Sequence, residues 1–458
     1  MGQPSFAASN AIIYVTYGLF LITGTAIAWK FRNQSKGEFL SGNRTQTAFP
    51  LALNFIASAL GSGILFSYPE LATITGVQGV VVYALSSSLP LLIFAVLGPI
   101  IRRKTPEGFV LTAWTRQRYG TIAMLYLSFM TLVTLFLYMV AELSAIGQVV
   151  NALTSLDGLP VMIVQCVITT IYTSLGGFKI SFITDNLQGA MVVCLIIIVA
   201  ITMGVKTEID TSLIDTSGLL KPTLLGWQLL YILPICILTN DFFLSGFWLR
   251  TFASKTDRDL RIGVSIAVAV ILCVLTMVGV TGLVAAWSGA LPLDQIADSG
   301  SVAFFLLLQQ LPAWVVGIVL VMVCTLSTAA FDSLQSAMAP SVLQIYLISD
   351  LVSASVIPVL VFGLVDRFYW WRGFEVVVGG LGGILTVFLF GLVFYEGDAQ
   401  KAANLLIISE GLYADDWSVF GAFVAAPVGS FLWGFGALGE YTDVTSDVEI
   451  VKPAGKFF

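Results

Sequence analysis

Apolar runs of about 20 residues recur along the whole chain, each long enough to carry one helix across a hydrocarbon core ~30 Å thick. Runs of suitable length lie near 11–30, 48–72, 77–101, 121–150, 159–176, 184–205, 225–248, 262–288, 313–340, 342–365, 374–395 and 416–437. They lack the two-residue alternation of barrel strands, and only helices or closed barrels satisfy their backbone groups inside lipid. The 458 residues are 57% hydrophobic and 10% charged, against ~25% charged in a soluble domain. An all-α polytopic membrane protein of about twelve spans is expected. It reads as a single transmembrane domain over 1–458, with a short polar C-terminal tail at 439–458. The lipid bilayer is one partner; nucleic acid is not.

The charges orient the spans. Arg102-Arg103-Lys104 with Arg116 and Arg118, then Lys179, then Arg250, Lys255, Arg258 and Arg261 mark one side. The loops at 73–79, 151–160 and 288–301 carry no Lys or Arg, so the positive-inside rule makes the basic side cytoplasmic. No basic residue precedes the first run, Ala11 to Trp29, and Lys30, Arg32, Lys36 and Arg44 follow it. A secretory signal has the opposite polarity. The first span is therefore expected to be retained, with the N-terminus outside. The sequon Asn43-Arg44-Thr45 then faces the cytoplasm, and 105–118 reads as a short surface helix.

Histidine is absent, which removes the usual near-neutral proton relay and excludes Ser-His and Cys-His catalysis. The cysteines (Cys166, Cys194, Cys236, Cys273, Cys324) all fall within apolar runs and read as small buried hydrophobes. No activated nucleophile, metal cluster or phosphate loop argues for an enzyme.

Acids do occur in or at the ends of the spans: Glu70, Glu142, Asp185, Asp241, Asp332 and Asp350. An ionised carboxylate at depth costs a few kcal/mol even on lenient insertion scales, so each needs a cavity, a partner, a cation or a proton. Glu70 and Asp350 also fit as helix-end acids. Asp241 follows Thr239-Asn240, downstream of Pro234, whose missing N–H tends to kink a helix. Asp332 shares its segment with Cys324, Ser327 and Thr328 at three- and four-residue spacing. Their hydroxyls suit a small cation, or simply bond back to carbonyls.

The stretch "NFIASALGSGILFSYPELATITG" places Gly61-Ser62-Gly63 inside a span. Irregular backbone survives at membrane depth only where protein or a water-filled cavity satisfies it. A helix broken there frees carbonyls as hard ligands, the device of transporters with paired discontinuous helices; the second break is expected near Asn240. A close-packed small-residue helix contact is the alternative.

With "RRKTPEGFVLTAWTRQRYG", "GGFKISFITD", "GFWLRTFASK", "LSTAAFDSLQSA" and "YLISDLVSA" in this order, the chain resembles the solute:sodium symporter family in a fungal-type form. The resemblance implies an inverted five-helix-repeat core with an extra N-terminal helix and C-terminal helices. It implies a Na+ site on the main-chain carbonyls of Ala57, Leu60 and Cys324 and the hydroxyls of Ser327 and Thr328. Asp185 is similar to an aspartate on the family's inward ion route. Ile64, Tyr83, Asn240 and Asp241 become solute-lining candidates, and Asn240 stands where sugar-carrying relatives have an aromatic gate. The resemblance also implies a further core helix between Ser341 and Val342, which are adjacent here. Its loss would explain why three spans, an odd number, separate Arg261 from Arg367 and Arg372.

The expected activity is sodium-coupled symport of a small polar solute by alternating access, in the plasma membrane by family default. Asp241 suits an amine or amide, such as a polyamine or urea. The alternatives are proton coupling, or a non-transporting sensor or inactive isoform of the same fold.

Overall fold

Helix starts follow the capping chemistry written in the chain. Ser5 accepts from the Ala8 amide, Asp157 from Leu159, Thr223 from Gly226 and Thr256 from Asp259, each satisfying a first-turn donor that has no intrahelical partner. The computed structural model describes residues 4–33, 43–106, 111–154, 156–334, 353–363, 365, 368, 370–406, 408 and 417–437. The helices used below are α1 (Phe6–Lys30), α2 (Ala48–Ala59), α3 (Ile64–Ser88), α4 (Leu92–Lys104), α5 (Leu111–Tyr119), α6 (Thr121–Leu153) and α7 (Gly158–Lys206). They continue with α8 (Thr211–Ser217), α9 (Leu224–Phe243), α10 (Ser245–Ala253), α11 (Asp257–Trp287), α12 (Ala303–Gln309), α13 (Ala313–Leu334), α14 (Ser353–Phe362), α15 (Gly373–Phe394), α16 (Ala399–Leu406) and α17 (Ser418–Ala437).

Among the described residues ten helices are long and apolar enough to cross a membrane, and the protein is an integral multi-pass membrane protein. The expected twelve runs map onto these and onto shorter apolar pieces, because the chain interrupts itself. The runs at 48–72 and 77–101 become α2, α3 and α4, with α3 reversing at Gly76 (φ 67°, ψ −149°). That conformation is open essentially to glycine alone, and it lets the Leu219 carbonyl take the Val77 amide at 3.0 Å. Of the surface helix expected over 105–118, the part from Leu111 forms α5, with Leu111, Trp114 and Thr115 buried, and 107–110 lie outside the described residues. The proposed fusion at Ser341–Val342, Asp350 and the tail at 439–458 lie outside them too.

α13 sits at the centre, packed against α1, α2, α6 and α7. In its most apolar stretch 78% of residues are buried, against 27% in α6, so protein encloses most of α13. Polar groups on α13 must therefore find protein or ligand partners. The cysteine expectation needs correcting. Cys236 and Cys324 are buried, but Cys194 and Cys273 are exposed on the outer faces of spans. A chain surrounded by hydrocarbon has no need to hide an apolar thiol.

At one end the segments before α2 and after α10 pair: Thr45 N–H donates to the Ala253 carbonyl at 2.9 Å and Lys255 N–H to Gln46 at 2.6 Å. Buried Arg102, at the foot of α4, clamps this junction by donating to the Ser254 hydroxyl and carbonyl and pairing with Asp257 at 3.4 Å. Two half-helices that arrive from different parts of the chain are thus tied at one end.

Candidate functional site

Two helices are broken side by side. Between α2 and α3 the chain turns extended at Leu60 (φ −108°, ψ 106°) and passes through Gly61-Ser62-Gly63, where the glycine-rich stretch predicted it. Across this gap the Ser62 amide leaves the helical pattern for the Glu142 carboxylate at 2.7 Å, and the Ile64 amide reaches only Gly61 at 3.4 Å. Among the described residues no backbone N–H crosses the gap to the carbonyl of Ala57 or Leu60. Both oxygens are buried acceptors released from the helix ladder.

The second break differs from expectation. It falls at Leu244 (φ −69°, ψ 103°), four residues beyond Asn240. Pro234 removes a donor, but α9 runs through it. The turn that follows is closed locally: Trp248 Nε1–H donates to the Phe242 carbonyl, six residues back, at 2.8 Å, satisfying an acceptor that the turn sets free.

α13 brings its polar face to the first break. Cys324, Ser327 and Thr328 are all buried. The Thr328 hydroxyl donates back to the Cys324 carbonyl at 2.5 Å, and Ser327 Oγ accepts from Gln165 Nε2 at 2.7 Å. Gln165 in turn accepts from the Tyr17 hydroxyl at 2.8 Å, so the N-terminal helix reaches the same cluster. A Cβ on Gly61 would stand 3.5 Å from that of Ala330, which places α13 in contact with the broken backbone. The donor set is oxygen throughout, with a residual lone pair on each hydroxyl, and it fits an alkali cation rather than a soft metal.

Asp185 lies apart from this cluster. It is fully buried on α7 and ion-paired to Arg250 of α10, with Asp332 and Thr184 alongside, the Thr184 hydroxyl donating to Asp332 at 3.1 Å. Sequence reasoning read Arg250 only as a topology marker, and its seat inside the protein was missed. Nothing local announces it: α10 is short, and only the packing of α10 against α2 and α4 turns the residue inward.

The solute-lining candidates divide. Tyr83 stacks on Tyr68, centroids 3.8 Å apart and planes within 12°, the two rings brought together by the reversal at Gly76. Asp241 lies within electrostatic reach of the Tyr68 phenol, and buried Asn240 precedes it. Ile64 opens α3 beside the first break, in the apolar core that also holds Leu60. Tyr68 and Glu142 were not singled out for these roles. Tyr68 lies four residues after Ile64, on the same helical face, a spacing that pointed to it; no local signal links Glu142 to Ser62.

The fold is shared with solved transporters. A Na+-coupled sialic acid symporter in its substrate-bound outward-open state superposes over 95% of this chain and 98% of its own, with TM-score 0.65 at 14% identity. Mhp1, a nucleobase-cation-symport-1 family transporter, gives TM-score 0.52 at 13% identity, covering 89% of this chain and 95% of its own. These likenesses establish the inverted-repeat transporter architecture. In sequence, the chain is 50% identical over 470 residues to Spermidine transporter DUR31 of Candida albicans, covering 94% of this chain and 89% of that protein. It is 23% identical over 441 residues to the Sodium/pantothenate symporter of Haemophilus influenzae, covering 88% of each. The family model "Sodium:solute symporter family" matches residues 39–347, and the chain belongs to that family of transporters, which are not enzymes.

Proposed function

We propose that the protein is a sodium-coupled symporter of a polyamine-class solute, set in the plasma membrane with its N-terminus outside. The cation would lie between the Ala57 and Leu60 carbonyls of the broken helix and the Cys324 carbonyl, Ser327 and Thr328 hydroxyls of α13. Binding there joins two elements that alternating access must move relative to one another. Asp185, opposite Arg250, would then line the route by which the ion leaves.

One observation carries the solute reading: Asp241, near the end of α9, lies within electrostatic reach of the phenol of Tyr68, whose ring stacks on Tyr83. Carboxylate and aromatic face together are what an alkylammonium group recognises. Urea has no charge to offer Asp241. The likeness to a protein named as a spermidine transporter supports the same choice.

Uptake of radiolabelled spermidine into proteoliposomes tests the proposal. Saturable uptake driven by an inward sodium gradient is expected, with Asp241→Asn raising KM more than about tenfold, or ~1.4 kcal/mol of lost recognition. Uptake that follows a proton gradient without sodium would replace sodium by protons. No gradient-driven uptake of any amine would leave the sensor reading.

A further inference from the structure

Glu142 is a buried acid on α6 that the proposed site does not use. Its side chain is 2% exposed. One oxygen accepts from both the amide and the hydroxyl of Ser62, at 2.7 and 2.5 Å. The other points at Gly61, where a Cβ would stand only 2.5 Å away. The Ser327 hydroxyl lies within electrostatic reach of the same carboxylate. Among the described residues the ion pairs are Arg102–Asp257 and Arg250–Asp185, and neither base belongs to Glu142.

Glu142 therefore touches the broken helix and lies near one of the two hydroxyls proposed as ligands, with hydrogen-bond donors but, among the described residues, no ion-pair partner. The five proposed ligand groups are the converse: carbonyls and hydroxyls, all neutral. A buried charge is tolerated where an opposite charge and hydrogen bonds meet it. We propose that Glu142 is the charge-bearing member of the cation site: its carboxylate holds Ser62 in place at the break and neutralises a monovalent cation bound between the break and α13. The inference rests on the cation site proposed above. It also explains why Gly61 carries no side chain, since a methyl there would push the carboxylate aside.

Equilibrium binding of radiolabelled sodium to the purified protein is the test, with Glu142→Gln, Glu142→Asp and Thr328→Ala in parallel. Glu142→Gln should weaken sodium at least tenfold, and Glu142→Asp, which keeps the charge, should recover part of the loss. Thermal unfolding separates a charge from a mere brace. Without sodium the Gln variant should be as stable as the wild type or more so, having lost an uncompensated buried charge, and sodium should no longer raise its melting temperature. A Gln variant less stable without sodium but still stabilised by it would overturn the proposal. Wild-type affinity in Glu142→Gln, with binding lost in Thr328→Ala, would remove Glu142 and keep the site. No saturable binding by the wild type, or none lost in Thr328→Ala, would remove the site itself and this inference with it. Should Glu142→Gln not fold, Gly61→Ala moves the same carboxylate by displacing the end of a flexible side chain. It should weaken sodium too, and unchanged affinity there would overturn the proposal.

Discussion

Arg250 Nη2 sits 2.5 Å from Asp185 Oδ2 with both side chains buried, α10 meeting α7 through a charge pair in the interior. The pair is buried with Asp332 and the Thr184 hydroxyl alongside, so Asp185 relies on Arg250 for its countercharge. Removing one partner of such a pair typically costs about 3–5 kcal/mol, because the survivor is left uncompensated. Arg250→Ala and Asp185→Asn should each lower the unfolding midpoint in detergent. The double variant Arg250→Met/Asp185→Leu should recover most of that loss while remaining defective in transport. A double variant no more stable than the singles would show that the pair's hydrogen bonds, rather than its charges, matter there.

Gly76 is the second sensitive point. Its φ of 67° disfavours any side chain, and a Cβ would fall 1.8 Å from the Leu219 carbonyl oxygen, a main-chain atom that cannot rotate away. The conformational strain alone costs about 1–3 kcal/mol, before the clash is relieved. Gly76→Ala should sharply reduce the yield of monodisperse protein on size exclusion, and Tyr68 and Tyr83 should lose their stacked arrangement in whatever survives. Normal yield and normal solute affinity would mean that α3 can reverse by another path.

The two hydroxyls of α13 should separate in their behaviour. Among the described residues the Thr328 hydroxyl bonds only to the Cys324 carbonyl of its own helix, so Thr328→Ala removes the proposed ligand oxygen and little else. Sodium affinity should fall at least about tenfold, equivalent to ~1.4 kcal/mol, with little change in stability, and Thr328→Ser should restore it. Ser327 also accepts from Gln165. Ser327→Ala therefore strands a buried amide, for about 1–3 kcal/mol, and should lower both sodium affinity and the melting temperature. Equal stability losses in the two variants would contradict this division.

The sequence by itself determined the class and the plan. Hydrophobic runs set by the thickness of a bilayer located the spans, and Gly61-Ser62-Gly63 marked the place of the first break, although such residues serve a close helix contact as readily. Spacing joined Cys324, Ser327 and Thr328 on one segment, whereas Ala57 and Leu60 entered the proposed cation set only through the family resemblance. Tertiary structure decided what those groups meet. Glu142 becomes the partner of Ser62 across 80 residues, and Arg250 turns inward to Asp185 across 65. Local pattern reports how a segment prefers to bend and which face it buries. Which distant charge or hydroxyl arrives at that face depends on how the helices pack, and the function of a buried polar group lies in that pairing.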